Sequence, residues 1–386
     1  MADQLRPTTL AEARDALRDT PGALLFRGGG TKQGWGVPPE RIDAVIDTTG
    51  LDALVEHSAG DMVAIVEAGV RMAALQEALS SSGQWFAVDP PLTDAGATLG
   101  GVVATNDHGP RRLRYGAPRD LVIGVTVVLA DGSVARAGGR VVKNVAGFDL
   151  MRLLCGSFGT LGLITELIVR LHPLPESSLT LTFEGDEAAL CDLVLALLAS
   201  PIEPTALDMA DGALWIRLEG RERGVTSQAE AVRALAAAHA LGSGDRLEGA
   251  KEATVWRLLT AAHDGAEGET VARAATLPDR LPKVVAALRA ISPQATIASH
   301  AGLGLHTARF RGPTEPGDGH AEAVRAWRRR VAALGGTVVL RRHTKGLDKS
   351  EDVWGPNPSA ISVMRRVKSQ LDPDRRCAPG RFVGGI

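Results

Sequence analysis

Apolar residues recur along the chain in two rhythms, one near every second position and one at helical spacing, and their alternation predicts mixed helix and sheet. Thr9-Leu10-Ala11-Glu12 has the form of a capping box and opens an amphipathic helix to about Arg18. A strand at Ala23–Phe26 runs into Arg27-Gly28-Gly29-Gly30-Thr31-Lys32. Met62–Glu67 is strand-like, and Leu75, Ala78 and Leu79 follow at helical spacing. Leu121–Leu129 and Ser133–Ala137 flank Ala130-Asp131-Gly132, where the Asp-Gly pair predicts a hairpin. Phe148–Leu154 has helical periodicity and Leu163–Leu171 that of a buried strand, before His172-Pro173-Leu174-Pro175 ends the block.

Past that boundary the order becomes strand, helix, hairpin, helix, and then recurs. Leu179–Phe183 leads to a helix at Glu187–Leu198, a hairpin turning at Asp211-Gly212 and an Ala-rich helix at Ser227–Ala240. The second pass starts near Val271, with a helix at Arg280–Ile291 and strands flanking Gly302 and Gly304. It ends with a helix at Ala321–Leu334 and a strand at Thr337–Leu340. Two such passes predict a ferredoxin-like cap. A helix at Ser359–Gln370 and a Pro/Gly-rich tail follow. The expected fold class is α+β, with domains at 1–175 and 176–345 and a segment, 346–386, that packs back on the first.

A chain of 386 residues with 45% apolar content can bury the cores of two domains. Net charge is −2 with the signs interspersed, and the arginines at 328–330 and 341–342 form no long basic face with interleaved aromatics. No nucleic-acid partner is expected. Cys155, Cys191 and Cys377 stand far apart without a Cys-x-x-Cys pair, which excludes an iron–sulfur cluster held by this chain alone and fits a reducing compartment. No run reaches the roughly 18 apolar residues of a membrane span, and the first residues carry no apolar signal core, so no transmembrane segment and a cytoplasmic address are expected. Ser157 lacks a Gly-x-Ser-x-Gly context, so a hydrolase triad is unsupported.

The candidate chemistry lies in the glycine-rich segments. Consecutive glycines at 28–30 let backbone N–H groups converge on one point, a concavity suited to a diphosphate. The loop is neither a Walker A motif nor a Rossmann Gly-x-Gly-x-x-Gly, since Gln33 occupies the last glycine position. Alone, it also reads as a tight surface turn. Two further segments follow it: Ala97-Thr98-Leu99-Gly100-Gly101-Val102-Val103-Ala104-Thr105-Asn106, and the run from Lys143 through Gly147 and Gly156-Ser157-Phe158-Gly159-Thr160-Leu161-Gly162 to Glu166.

In order and spacing, these three segments resemble the PCMH-type FAD-binding domain of the vanillyl-alcohol-oxidase superfamily. Within it they are most similar to the family of FAD-binding subunits found in bacterial glycolate oxidases. The likeness covers about residues 20–175 and extends to Leu371-Asp372-Pro373 and Pro379-Gly380-Arg381, which look like that family's return to the flavin domain. The resemblance implies that Gly28, Gly29, Gly30, Thr31 and Lys32 wrap the FAD diphosphate; Arg27 and Lys32 read either as added positive charge near it or as solvated surface groups. It places Thr98, Gly100 and Gly101 on the opposite side, Thr105, Asn106 and Pro90 toward the flavin, and Gly162 and Ile164 near the adenine. Thr31 stands where some members attach the flavin to histidine, so non-covalent FAD is implied. Cys155 is expected to be a buried small residue.

The superfamily's 2-hydroxyacid dehydrogenases carry His-x-Gly-Asp-Gly-Asn-x-His and Glu-His-Gly-x-Gly. Here the corresponding stretches are His300-Ala301-Gly302-Leu303-Gly304-Leu305-His306 and Arg341-Arg342-His343-Thr344-Lys345-Gly346. Leu303 replaces the acidic residue, one residue is missing before the second histidine, and Arg342 stands at the glutamate position. An arginine there opposes a cation, so no metal is expected. His300, His306, Arg342 and His343 remain the catalytic candidates: either Arg342, His343 and Lys345 clamp a substrate carboxylate with a histidine as base, or His300, His306 and His343 are structural or line an open cleft. The resemblance implies a flavoprotein subunit that relays electrons while a glycolate-oxidase-type complex oxidises glycolate or a similar 2-hydroxy acid. Its partners would be a larger hydroxyacid-oxidising FAD subunit and an iron–sulfur subunit, through which the assembly could sit peripherally at the inner membrane. A self-sufficient FAD oxidoreductase and a structural partner without redox role are the alternatives.

Overall fold

The computed structural model describes residues 3–139, 149–311, 320–344 and 346–386. Lys143–Phe148 of the third glycine segment and Lys345 lie outside the described residues. The chain divides into two compact units. One comprises residues 1–108, 115–174 and 356–386, the other 109–114 and 175–355.

The first unit is built on two sheets. A small parallel sheet takes the order Asp3–Leu5, Ala44–Asp47, Leu24–Arg27, so the strand feeding the glycine loop lies at its edge. A five-stranded antiparallel sheet runs Leu54–Ser58, Val63–Glu67, Leu163–Arg170, Val122–Val128, Val134–Gly138. Its core gathers Val66, Leu75, Phe86, Val102, Val125 and Leu167, all removed from solvent. Thr9 caps the Leu10–Asp19 helix by accepting from the Glu12 amide, but the Glu12 carboxylate reaches back to Thr8 instead of Thr9, so the capping box is shifted by one residue.

Residues 356–386 are stitched into this unit by buried polar groups. Arg376 donates to the carbonyls of Leu17, Thr20, Gly22 and Ala130, closing the end of the Leu10–Asp19 helix. Lys368, buried, donates to Asp372, Thr160 O and Cys377 O at 2.6, 2.7 and 2.9 Å. Cys377 bridges in parallel to Leu24 on the edge of the small sheet.

The second unit carries one eight-stranded antiparallel sheet made of two matching halves. The first half runs strand Ser177–Glu184, helix Glu187–Leu198, strands Ala206–Ala210 and Ala213–Gly220, helix Glu222–Ala238 and strand Asp245–Leu247. The second runs strand Thr270–Ala275, helix Leu281–Ile291, strands Thr296–His300 and Leu305–Phe310, helix Ala321–Ala333 and strand Thr337–Arg342. In each half the strands, counted along the chain, lie in the spatial order four-one-three-two, the ferredoxin-like arrangement. The halves join where the two second strands pair, at Asp208↔His300, Met209↔Ser299 and Ala210↔Ala298. Leu181, Leu207, Met209, Ile216 and Val285 pack between one face and the helices. An additional helix, Gly249–Asp264, covers the other face, where Ala206, Ala210, Trp256 and Ala298 meet.

Candidate functional site

The first unit contains an open cleft. Its walls bring together Arg27 through Lys32, Thr98, Gly100, Gly101, Thr105, Gly162 and Ile164, segments separated by more than a hundred residues. Phe158 and Arg381 also line it. Pro90 and Asn106 do not. Pro90 is buried and its carbonyl accepts from Thr93, while Asn106 adopts the left-handed conformation beyond the Leu99–Thr105 helix and accepts from Cys155 Sγ at 3.3 Å. The Cys155 thiol is pushed up to about 12 by burial and is unreactive at neutral pH.

Two glycines of the loop are needed because the two glycine segments abut. A Cβ on Gly29 would lie 1.9 Å from the Gly96 carbonyl oxygen, and one on Gly28 would lie 2.1 Å from Thr98 Oγ1. The loop then turns so that Gln33 N donates to Gly30 O, with Gly30 at φ +72°. Among the described residues, no acceptor receives the backbone amides of Gly29, Gly30 or Thr31. Donors left over in a cleft mark a place for ligand oxygens, and a diphosphate supplies such oxygens at close spacing. The residues present therefore fit the anionic centre of a dinucleotide.

The two cations assigned to the diphosphate are already engaged with carboxylates. Arg27 meets Asp47 at 3.1 Å, and buried Lys32 meets buried Asp107 at 3.4 Å with Trp35 beside it. Burial works to raise the Asp47 carboxyl, but donors from Thr49 and Arg27 hold it below its usual range.

In the second unit the four catalytic candidates do not converge. His300 lies opposite Asp208, whereas His306 lies opposite Ser299, the neighbouring residue, so the two imidazoles project from opposite faces of the sheet. His306 is enclosed, receiving a hydrogen bond from Ser299 Oγ and donating to Thr276 Oγ1, both 2.9 Å, since the Thr276 hydroxyl itself donates to Leu277 O. Burial pushes its pKa down to about 4. Arg342 pairs with Asp264 at 3.3 Å, and His343 donates to the Thr344 carbonyl at 3.2 Å.

His300 belongs to a group that sequence reasoning missed. Its Nδ1 donates to Asp208 Oδ1 at 2.8 Å, and His263 Nε2 donates to Asp208 Oδ2 at 3.1 Å, with His263 Nδ1 accepting from Thr307 Oγ1 at 3.0 Å. Burial pushes His300 down to about 3 and also lowers His263, with Arg273 and Arg341 nearby adding to the effect on His263. Both rings are therefore neutral near pH 7. Burial alone would raise the Asp208 carboxyl, but the two imidazoles hold it well below the usual range. The ligand atoms of Asp208, His263 and His300 all lie within 4.8 Å of one another, compact enough for a cation. The rings, however, stack 3.8 Å apart with only 22° between their planes, so their in-plane lone pairs run side by side. The geometry is that of a carboxylate clamped by two N–H donors.

With this geometry in place, comparison with known proteins identifies the family. The model for the C-terminal domain of FAD linked oxidases matches residues 188–382, half of the chain, and an FAD binding domain model matches residues 4–138. The chain belongs to the FAD-linked oxidase family. Family membership makes FAD the cofactor and oxidoreduction the class of chemistry. The glycolate oxidase subunit GlcE of Escherichia coli (strain K12) is 35% identical over 222 residues, 57% of this chain and 62% of that protein. The match thus spans less than two thirds of that relative. The D-lactate dehydrogenase of Archaeoglobus fulgidus is 29% identical over 394 residues, 93% of this chain and 86% of that protein. The solved structure of alkyldihydroxyacetonephosphate synthase shares the fold at a TM-score of 0.74 and 18% identity, covering 97% of this chain and 75% of that one. Among the described residues, no helix is long and apolar enough to cross a membrane.

Proposed function

We propose that this chain is the FAD-carrying subunit of a complex that oxidises glycolate or a similar small 2-hydroxy acid to the 2-oxo acid. Its own role is to hold FAD non-covalently and pass electrons on. FAD, when bound, supplies a two-electron acceptor. Gly28 through Thr31 present backbone donors to its diphosphate, Thr31 offers no histidine for covalent attachment, and Thr98, Gly100, Gly101 and Thr105 form the facing wall. The relatives named for glycolate and D-lactate support the substrate class.

The observation that carries the subunit role is the division of the histidine motif between the two faces of the sheet. The chain keeps a full cofactor cleft, yet His300 is clamped to Asp208, His306 is enclosed by two hydroxyls, and Arg342 faces Asp264 where a metal-binding glutamate would be required. Hydroxyacid chemistry then belongs to a homologous larger subunit, with iron–sulfur clusters on a third.

Anaerobic mixing of the purified, flavin-loaded chain with glycolate and then D-lactate tests this division. The flavin is expected to stay oxidised in the isolated chain and to be reduced once the partner subunits are present. Rapid bleaching of the isolated chain by either acid would overturn the subunit role in favour of a self-sufficient oxidoreductase.

A further inference from the structure

Arg381 occupies the cleft wall without having been assigned a task there. It is 4% exposed, and its guanidinium reaches the loop that follows the glycines, 348 residues earlier in the chain. One nitrogen donates to Gln33 Oε1 at 2.8 Å; the other donates to the carbonyls of Lys32, Gln33 and Trp35 at 3.2, 3.1 and 3.4 Å. The backbone oxygens of one short turn are thereby drawn toward a single cation. That arrangement fixes the peptide planes directly after the amides of Gly29, Gly30 and Thr31, which have no described acceptor.

The segment that delivers Arg381 is built for placement. Arg376 and Lys368 anchor it, Gly380 turns at φ +79° where a Cβ would meet the Glu40 side chain at 2.6 Å, and Phe382 stacks on Phe158, another wall residue, at 5.6 Å. Phe158 itself is held at φ +56°, an uncommon conformation for a bulky side chain, with its amide donating to Ala104 O.

The guanidinium hydrogen bonds to Gln33 Oε1 and to the loop carbonyls hold the Arg381 charge against the wall of the cleft. Burial lowers the Arg381 pKa to about 10, so it remains charged at neutral pH.

We propose that Arg381 is a cofactor-binding residue. It orders the diphosphate loop through its carbonyl contacts and supplies positive charge to the dinucleotide's diphosphate. The inference rests on the reading of the cleft as the FAD site and adds a residue to it.

Equilibrium binding of FAD and of riboflavin, which lacks both phosphates, to the full chain and to Arg381→Met and Arg381→Lys tests it. Arg381→Met is expected to weaken FAD roughly 10- to 100-fold, the range for a charge-assisted contact, while riboflavin binding changes less than about 3-fold. Arg381→Lys, which retains the charge, should recover part of the FAD affinity and keeps the test open if the methionine variant misfolds. Equal loss of both ligands, or no loss of either, overturns the inference while leaving the cleft reading intact. Wild-type protein that binds neither flavin overturns the cleft reading, and this inference falls with it.

Discussion

The cleft of the first unit is lined largely by backbone and small side chains, whereas the histidine cluster of the second unit is made of side chains alone. The amides of Gly29, Gly30 and Thr31 have no described acceptor, and the cleft is open. In the second unit, by contrast, His263 and His306 have both ring nitrogens engaged and no exposure worth the name. Donors left over point to a ligand; donors fully used point to a scaffold. Histidine in a recognisable motif is thus weaker support for chemistry than a bare amide in a groove.

The sharpest way to break this contrast is Gly29→Asp. The new Cβ would collide with the Gly96 carbonyl, and the carboxylate would repel a diphosphate, so flavin retention is expected to vanish. Flavin absorbance per mole of purified protein checks this, and undiminished occupancy would refute the placement of the loop. The clash is a second cause beyond charge, one that only the abutment of the two glycine segments reveals.

Asp208→Ala probes the other side. It removes the acceptor of two buried N–H groups, for an expected cost of about 2–6 kcal/mol, the penalty of leaving two buried donors unsatisfied. Urea unfolding measures that loss, while flavin occupancy should hold. Loss of flavin with unchanged stability would reverse the assignment of scaffold and site.

Acidification tests the same contrast without a mutation. His300, His306 and His263 are held neutral in the folded protein with pKa values below that of an unfolded histidine, so the unfolded chain binds more protons as pH falls below about 6.5. Their contribution is complete above that value and declines toward the folded values, about 4 for His306 and about 3 for His300. Each histidine should lower stability by up to about 1.4 kcal/mol per pH unit in that window. Flat unfolding free energy between pH 6.5 and 4.5 would contradict the neutral, buried state.

Much of the architecture was legible because local rules governed it. Asp211 and Gly212 both take left-handed conformations, φ 48° and 78°, as the Asp-Gly signal requires for a tight hairpin. The doubled strand-helix rhythm likewise emerges as two matching halves. The Gly249–Asp264 helix escaped detection for a physical reason. Its buried positions include Glu252 and His263 beside Trp256 and Leu259, so the face that packs inward carries no clean apolar stripe. Glu252 accepts there from Ser178 and Thr180, on the same side of the sheet as the Asp208 clamp. Asp3–Leu5 and Ala44–Asp47 were equally hidden, since short parallel strands paired across some forty residues leave little local pattern. Within the cleft, glycine positions were readable from spacing, whereas the pairing of Arg27 with Asp47 and Lys32 with Asp107 depends on partners far along the chain. The histidine motif shows the limit most plainly. Whether two residues of a hairpin face each other depends on whether their separation is odd or even once the turn is counted, and here it sets His300 and His306 apart.

The eight-stranded sheet closes through only three residue pairs between its halves, and one of these is Asp208 opposite His300. The imidazole–carboxylate clamp therefore works as a rivet across the seam: it ties Ala206–Ala210 to Thr296–His300 and, through His263, fastens the covering helix over the joint.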